Sequence, residues 1–162
     1  MSHTQLILVP SATVILLGLS TALHSADVAG ATSPGELASR HSQALARKDS
    51  TAYSLLVCWD RILPQDRQSL VSGFVEEASN TTADFRFLTL AQMDEEMRKA
   101  GGTPPIRKPV TRSGVALDFN LPVIGYLMYR STSKDGQSQG FGAVPVGMKG
   151  GRYFFVSRVP VS

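Results

Sequence analysis

Cys58 is the most reactive side chain in the sequence. It stands beside Trp59 in the apolar run YSLLVCWDRI, and these are the only cysteine and the only tryptophan of the 162 residues. A catalytic thiol needs a lowered pKa and access to solvent, usually beside a base or at a helix N-terminus. We expect Cys58 near the C-terminal end of a helix, where the dipole disfavours a thiolate, and free cysteines are commonly buried. The run therefore predicts packing; a dyad with His41, an intermolecular disulfide and redox sensing are the alternatives.

His41 is the only histidine beyond residue 24. It belongs to an apolar stripe with a spacing of three and four residues, which places its members on one helix face: Leu37, His41, Ala44 and Leu45. A histidine on such a stripe is usually a core or rim residue hydrogen-bonded to a neighbour. The alternative makes His41 a general base in a pocket, with Asp118 and Tyr126 supplied by a sheet.

Six side chains form the candidate binding set: Tyr53, Trp59, Tyr126 and Arg130 are expected to line a mouth of the fold, and His41 and Asp118 belong to the pocket of the alternative. They combine aromatic surface with charged groups, which suits an amphipathic ligand. The set is His41, Tyr53, Trp59, Asp118, Tyr126 and Arg130. We assign no catalytic residue from the sequence.

Several chemistries are disfavoured by what the sequence offers. One histidine and one cysteine beyond residue 26 fall short of a zinc site, and no carboxylate spacing matches a calcium loop. The GFG motif at residues 140–142 lies among hairpins, whereas a dinucleotide fingerprint links a strand to a helix. We therefore expect no metal and no cofactor. The net charge of +3 comes from scattered basic residues, which argues against nucleic acid as a partner.

The first 26 residues contain no lysine, arginine, aspartate or glutamate, and residues 6–19 form an apolar stretch of signal-peptide length. We expect a signal peptide at residues 1–26, with Ala22 and Ala31 as alternative cleavage points to Ala26. The protein would then be periplasmic or secreted. An uncleaved N-terminal membrane anchor and a buried N-terminal helix are the alternatives. Residues 27–32 are the predicted linker, and residues 33–162 the predicted single domain.

The domain is predicted to begin with helices. Ser33, Pro34 and Glu36 form a helix start with a capping box, which predicts a helix over residues 34–48. A shorter helix is expected over residues 51–59 and an amphipathic one over residues 63–79. A strand at residues 84–90 and a short capped helix at residues 91–100 follow, and the prolines of residues 103–109 predict a loop.

Strands dominate the sequence beyond Gly114. Four segments are predicted: residues 115–119, 123–132, 139–146 and 152–159. The sequences KDG at 134–136 and KGG at 149–151 supply glycines where tight hairpin turns are needed. Helices followed by antiparallel strands predict an α+β domain, with the helices packed on one face of a curved sheet and two C-terminal hairpins.

The order of these elements, with the segments LDFNLPVIGYLMYR and VPVGMKGGRYFFVSR, resembles the nuclear transport factor 2-like superfamily and the small exported bacterial proteins near it. The resemblance implies a cone-shaped α+β barrel whose open end often holds a ligand or an active site, although some members serve only interaction or dimerisation. It carries no catalytic motif onto this chain. The short helix at residues 91–100 departs from the pattern and would cover or fill the cone.

Together these features favour an exported domain that binds a small ligand or a protein without catalysis. Two alternatives remain open. One is a small lyase, isomerase or hydrolase that uses His41 with Asp118 or Tyr126. The other is a structural homodimer formed through the sheet.

Overall fold

The computed structural model describes residues 28–161, so the predicted signal peptide lies outside the described residues. The α+β class and the curled antiparallel sheet behind N-terminal helices are confirmed. The helices are α1 (Pro34–Arg47), α2 (Ser50–Ser54), α3 (Pro64–Glu77) and α4 (Leu90–Lys99). The strands are β1 (Thr81–Thr89), β2 (Val110–Arg112), β3 (Val115–Phe119), β4 (Val123–Thr132), β5 (Gln139–Lys149), β6 (Arg152–Phe155) and β7 (Arg158–Pro160).

Helix α1 forms where its start signals predict. The Ser33 hydroxyl accepts from the backbone N–H of Glu36, and Pro34 occupies the first turn. The Glu36 carboxylate reaches one residue further back than a capping box requires and accepts from the backbone N–H of Thr32 at 2.7 Å. All four residues of the predicted stripe are buried. Within the predicted linker, Ala31 already pairs with Tyr153, so the chain is held against the fold before Ser33.

The predicted second helix is wrong in length. Asp49 caps α2 by accepting from the backbone N–H of Ala52, but the helix ends at Ser54. Leu55 and Leu56 then form a turn, after which Val57 bridges Phe155 of β6. Cys58 donates its backbone N–H to the Phe155 carbonyl, so this segment is an added edge of the sheet. Its burial was predicted; its conformation was not, because a short apolar run fits a buried strand as well as a helix.

Helix α3 forms as predicted but is only lightly packed. Phe74 and the adjoining Ala78 are buried, Leu70 and Val71 are half-buried, and Val75 is 53% exposed. The predicted inward stripe is therefore narrower than the sequence indicates.

The main sheet has the order β1-β4-β5-β6 with every pair antiparallel. The two predicted hairpins are β4–β5 and β5–β6. Gly136 lies in the first turn, and Gly150 and Gly151 form the second, all with the positive φ that favours glycine. A bulge in β1 between Ala83 and Arg86 breaks the register with β4.

A separate sheet has the order β2-β3-β7. The sequence predicts one curved sheet that includes β3, and this is wrong for β3: its Asp118 pairs with Val159 of β7. Asn120 explains the switch. Its side-chain amide donates to the carbonyls of Cys58 and Asp60, and its side-chain carbonyl accepts from the backbone N–H of Ser157. A buried amide that satisfies three backbone groups fixes the chain at the point where it passes from β3 in this sheet to β4 in the main sheet.

The two faces of the main sheet hold different cores. Leu127 belongs to the larger cluster beneath α1, α2 and α3. Tyr126 and Met128, which alternate with it along β4, belong to a smaller cluster with Met93 of α4. The predicted capping box of α4 is present, between Thr89 and Gln92. Helix α4 therefore covers the outer face of the sheet and does not fill the cone.

Gly142 is required by packing, whereas Gly140 is not. A Cβ on Gly142 would overlap the ring of Tyr129 on the neighbouring strand, and a Cβ on Gly140 would meet nothing within 4 Å. The register of β4 with β5 is continuous here, so these glycines mark no bulge.

We predict that Gly142→Ala lowers the free energy of unfolding by about 1–3 kcal/mol, because the added methyl overpacks against Tyr129. Gly140→Ala is the matched control two positions along the same strand, and it should change stability by less than about 0.5 kcal/mol. Chemical denaturation of both variants measures the difference. Equal destabilisation by the two substitutions would contradict the conclusion that packing against Tyr129 requires glycine only at position 142.

Candidate functional site

His41 lies at the centre of the larger core and is enclosed by five aromatic rings. The ring centroids lie 4.8 Å away for Phe155, 5.8 Å for Phe85 and Tyr129, 5.9 Å for Tyr53 and 6.3 Å for Phe74. Three of these rings present an edge-to-face geometry to the imidazole. His41 is only 3% exposed.

Neither imidazole nitrogen has a hydrogen-bond partner among residues 28–161, which contradicts the expectation of a hydrogen-bonded core histidine. Burial lowers the pKa of His41 to about 4, and no charged group contributes to that shift. Burial likewise raises the pKa of Tyr53 and of Tyr129 to about 12, the latter with a further contribution from the charge of Glu77. The interior thus holds a neutral imidazole among neutral rings at physiological pH.

Two of the six predicted binding residues, His41 and Tyr53, lie together, and they lie in this interior. Asp118 is on β3 in the second sheet, where its carboxylate accepts from the backbone N–H of Phe119. Tyr126 is in the outer cluster, with the guanidinium of Arg107 5.9 Å from its ring centroid. The proposed general base therefore has neither Asp118 nor Tyr126 beside it.

Arg130 lies on the outer face of β4 and forms an ion pair with Asp84 at the bulge of β1. Both border a groove of about 410 Å³ at the end of the main sheet. Phe141 of β5 lies directly opposite Arg130 and is 74% exposed. The sequence-based set did not include Phe141, although its glycine neighbours leave it without side-chain cover along the strand.

Trp59 lines a second concavity, a cleft of about 370 Å³ between the end of α2 and α3. Its indole N–H donates to the Ser54 carbonyl at 2.8 Å, which fixes the plane of the ring. The guanidinium of Arg67 lies 5.7 Å from the ring centroid. Four further residues line the cleft: Ser54, Gln68, Val71 and Ser72. Arg67 carried no sequence signal, because only the end of α2 at Ser54 brings Trp59 next to α3.

Cys58 is buried, with 4% exposure, as the sequence predicts. Burial is the largest cause that raises the pKa of its thiol, and the charge of Asp60 adds to it. The neighbour of the thiol is therefore a carboxylate, which is itself paired with Lys149. Such surroundings suppress the thiolate that nucleophilic chemistry needs.

No group of three or more histidine, cysteine, aspartate or glutamate side chains converges within the part of the chain that the structure describes. Among residues 28–161, no helix has both the length and the apolar character that crossing a membrane requires.

We predict that stability falls as pH decreases from about 6.5 to about 4, because the unfolded chain binds a proton at the ordinary pKa of 6.5 while folded His41 does not until about 4. The loss attributable to His41 is about 3 kcal/mol and is complete below the lower pKa. His41→Leu should remove this part of the pH dependence in denaturation experiments at pH 7.5 and pH 4.5. Identical pH dependence in the variant and the parent protein would contradict the prediction.

We predict that a disulfide reagent labels Cys58 at least about a hundredfold more slowly in the folded protein than in denaturant, because the thiol is buried and largely protonated. Ser138→Cys, placed in the β4–β5 turn, is the control and should add one thiol that reacts at once in the folded state. Rapid labelling of Cys58 in the folded protein would contradict its burial and would make a thiol-based activity the better interpretation.

Comparison of the chain with protein-family models, with curated proteins and with solved structures found no match to any of them.

Proposed function

We propose that this chain is an exported, non-catalytic binding domain of the nuclear transport factor 2-like type, and that it binds a small amphipathic anion in the cleft beside Trp59. The observation that carries the proposal is the fixed pair formed by Trp59 and Arg67 at the wall of a concave site. Export rests on residues 1–26, which contain no lysine, arginine, aspartate or glutamate, and on the apolar stretch at residues 6–19 within them. The superfamily rests on the order of helices and strands.

Both recognition groups are held in place before a ligand arrives. The ring plane of Trp59 is set by its bond to Ser54. The guanidinium of Arg67 is anchored by donation from Nε to the Ile62 carbonyl at 3.2 Å and from Nη2 to the Trp59 carbonyl at 3.4 Å. Groups that are already ordered lose little conformational entropy on binding. The cleft is therefore preorganised for a ligand with one planar face.

The charge of Arg67 is available to that ligand. Within residues 28–161 no carboxylate forms an ion pair with it, whereas Arg86, Arg98, Arg107 and Arg130 each have one. Its Nη1 makes none of the intramolecular hydrogen bonds found in the described chain, so this nitrogen can donate to an anionic oxygen. A carboxylate or sulfonate on the ligand would complete the site.

The cleft has the size and lining of a small-molecule site. Its volume of about 370 Å³ falls within the range of about 300–1,000 Å³ that such sites occupy. Val71 extends the apolar wall, while Ser54, Ser72 and Gln68 provide polar groups at the rim. This combination suits one or two fused rings that carry an acidic group.

The enclosed interior supports binding over the enzyme alternative. A lyase, isomerase or hydrolase based on His41 needs a carboxylate or phenol beside the imidazole and a path for substrate. Five rings occupy the space around His41, and Asp118 and Tyr126 lie elsewhere. We therefore place the binding of the amphipathic anion in the Trp59 cleft at the surface, and not in the interior around His41.

The test compares two fluorescent probes that differ by one charge. We expect 8-anilinonaphthalene-1-sulfonate to quench the fluorescence of Trp59, the only tryptophan of the chain, and to bind with Kd in the micromolar range. Arg67→Gln should weaken its binding about tenfold, because it removes one charge-assisted hydrogen bond. N-phenyl-1-naphthylamine lacks the sulfonate and should bind both proteins equally.

Arg98→Gln is the matched control, because Arg98 is an exposed arginine on α4 that pairs with Glu95 and does not line the cleft. It should leave the affinity of both probes unchanged. If Arg67→Gln and Arg98→Gln have the same effect, or if Trp59 fluorescence does not respond to saturating sulfonate, the proposed site is wrong.

A further inference from the structure

Strand β5 has an edge that is free over half its length. Residues 139–144 pair with β4 on one side. On the other side, β6 pairs only from Val146 to Lys149. Among residues 28–161, no strand covers the remaining edge of β5, and Gln139, Gly140, Phe141 and Ala143 are exposed.

The hydrogen bond of Pro145 shows which N–H and C=O groups of β5 point away from β4. Its carbonyl accepts from the backbone N–H of Val156, on the side of β5 away from β4. Backbone groups alternate along an antiparallel strand, so Ala143, Phe141 and Gln139 direct their N–H and C=O groups to that same side. Three donors and three acceptors therefore lie in a row along the free edge.

This edge lacks the features that usually protect an unpaired strand. Between Gln139 and Met148 there is no charged residue, and the only proline, Pro145, comes after the free part. Proteins usually place lysine, proline or a bulge where strand pairing is to be avoided. Here the register is unbroken, and the most exposed side chain is Phe141.

We infer that the free edge of β5 pairs antiparallel with the same edge of a second copy of this chain, about a two-fold axis at Phe141. The three outward-facing residues are symmetric about that position. Phe141 then faces the partner's Phe141, and Gln139 faces the partner's Ala143. Every exposed donor meets an acceptor in this register, which gives six backbone hydrogen bonds.

Charge and shape select a second copy as the occupant. Each edge is neutral, so pairing places no like charges opposite one another, and a charged peptide would gain nothing from the strand itself. The two Phe141 rings meet on the outer face, beside the groove of about 410 Å³ lined by Met128 and Arg130. Each ring therefore leaves water on dimerisation.

The dimer is expected to be weak, so the fraction of dimer depends on protein concentration. Six-residue edges bury less surface than the roughly 1,200–2,000 Å² of stable interfaces, which is typical of weak, reversible association. The Trp59 cleft lies between α2 and α3 and contains no residue of this edge. The dimer and the binding of an amphipathic anion are therefore separate properties, and either can fail alone.

Sedimentation velocity over about a hundredfold range of protein concentration tests the inference. The parent protein should shift from monomer to dimer. Phe141→Lys should raise the dimer Kd at least about tenfold, because it opposes two charges at the axis. Ala143→Pro removes an outward N–H without removing a bond to β4, and should have the same effect. Circular dichroism confirms that each variant is folded.

Met148→Lys is the matched control, because Met148 is exposed on the same strand where β6 already covers the edge. It should dimerise like the parent protein. The inference is overturned if the parent protein stays monomeric throughout, or if a dimer forms that neither edge variant weakens. It is also overturned if monomers bind an extended neutral peptide at residues 139–143, detected by NMR, in place of self-pairing.

Discussion

The enclosure of a neutral imidazole by aromatic rings is the constraint on which the fold depends. His41 comes from α1, and the rings around it come from two helices and three strands of the main sheet: Tyr53, Phe74, Phe85, Tyr129 and Phe155. Two helices and three strands therefore each pack an aromatic ring against His41. Because neither nitrogen has a hydrogen-bond partner in the described chain, the imidazole is tolerated only while it stays uncharged and dry.

Local signals predicted the elements, and long-range contacts decided how they are joined. Ser33, Asp49 and Thr89 cap α1, α2 and α4 as their residue types indicate. The end of α2 could not be predicted, because five consecutive apolar residues have no periodicity and the bridge from Val57 to a distant strand determines their form. The separation of β3 from β4 likewise depends on Asn120, whose partners are remote in sequence.

The candidate site was predicted only in its components. The sequence marks His41 and Trp59 as unusual, and both are important in the structure. It cannot show that aromatic rings from five elements close around His41, since that depends on tertiary packing. Nor does it show that Trp59 is adjacent to Arg67. The six residues of the candidate binding set are divided among the interior, the outer face of the main sheet, the Trp59 cleft and the second sheet.

The central claim is that side chains fill the space between the helices and the main sheet around His41, which is why the proposed ligand site is at the surface. Titration of the His41 imidazole by NMR tests it most directly, with the signal assigned by its loss in His41→Leu. The account predicts a pKa of about 4, because burial among the aromatic rings disfavours the charged imidazolium. A pKa near the ordinary 6.5 would show that water reaches the ring, and would contradict the account.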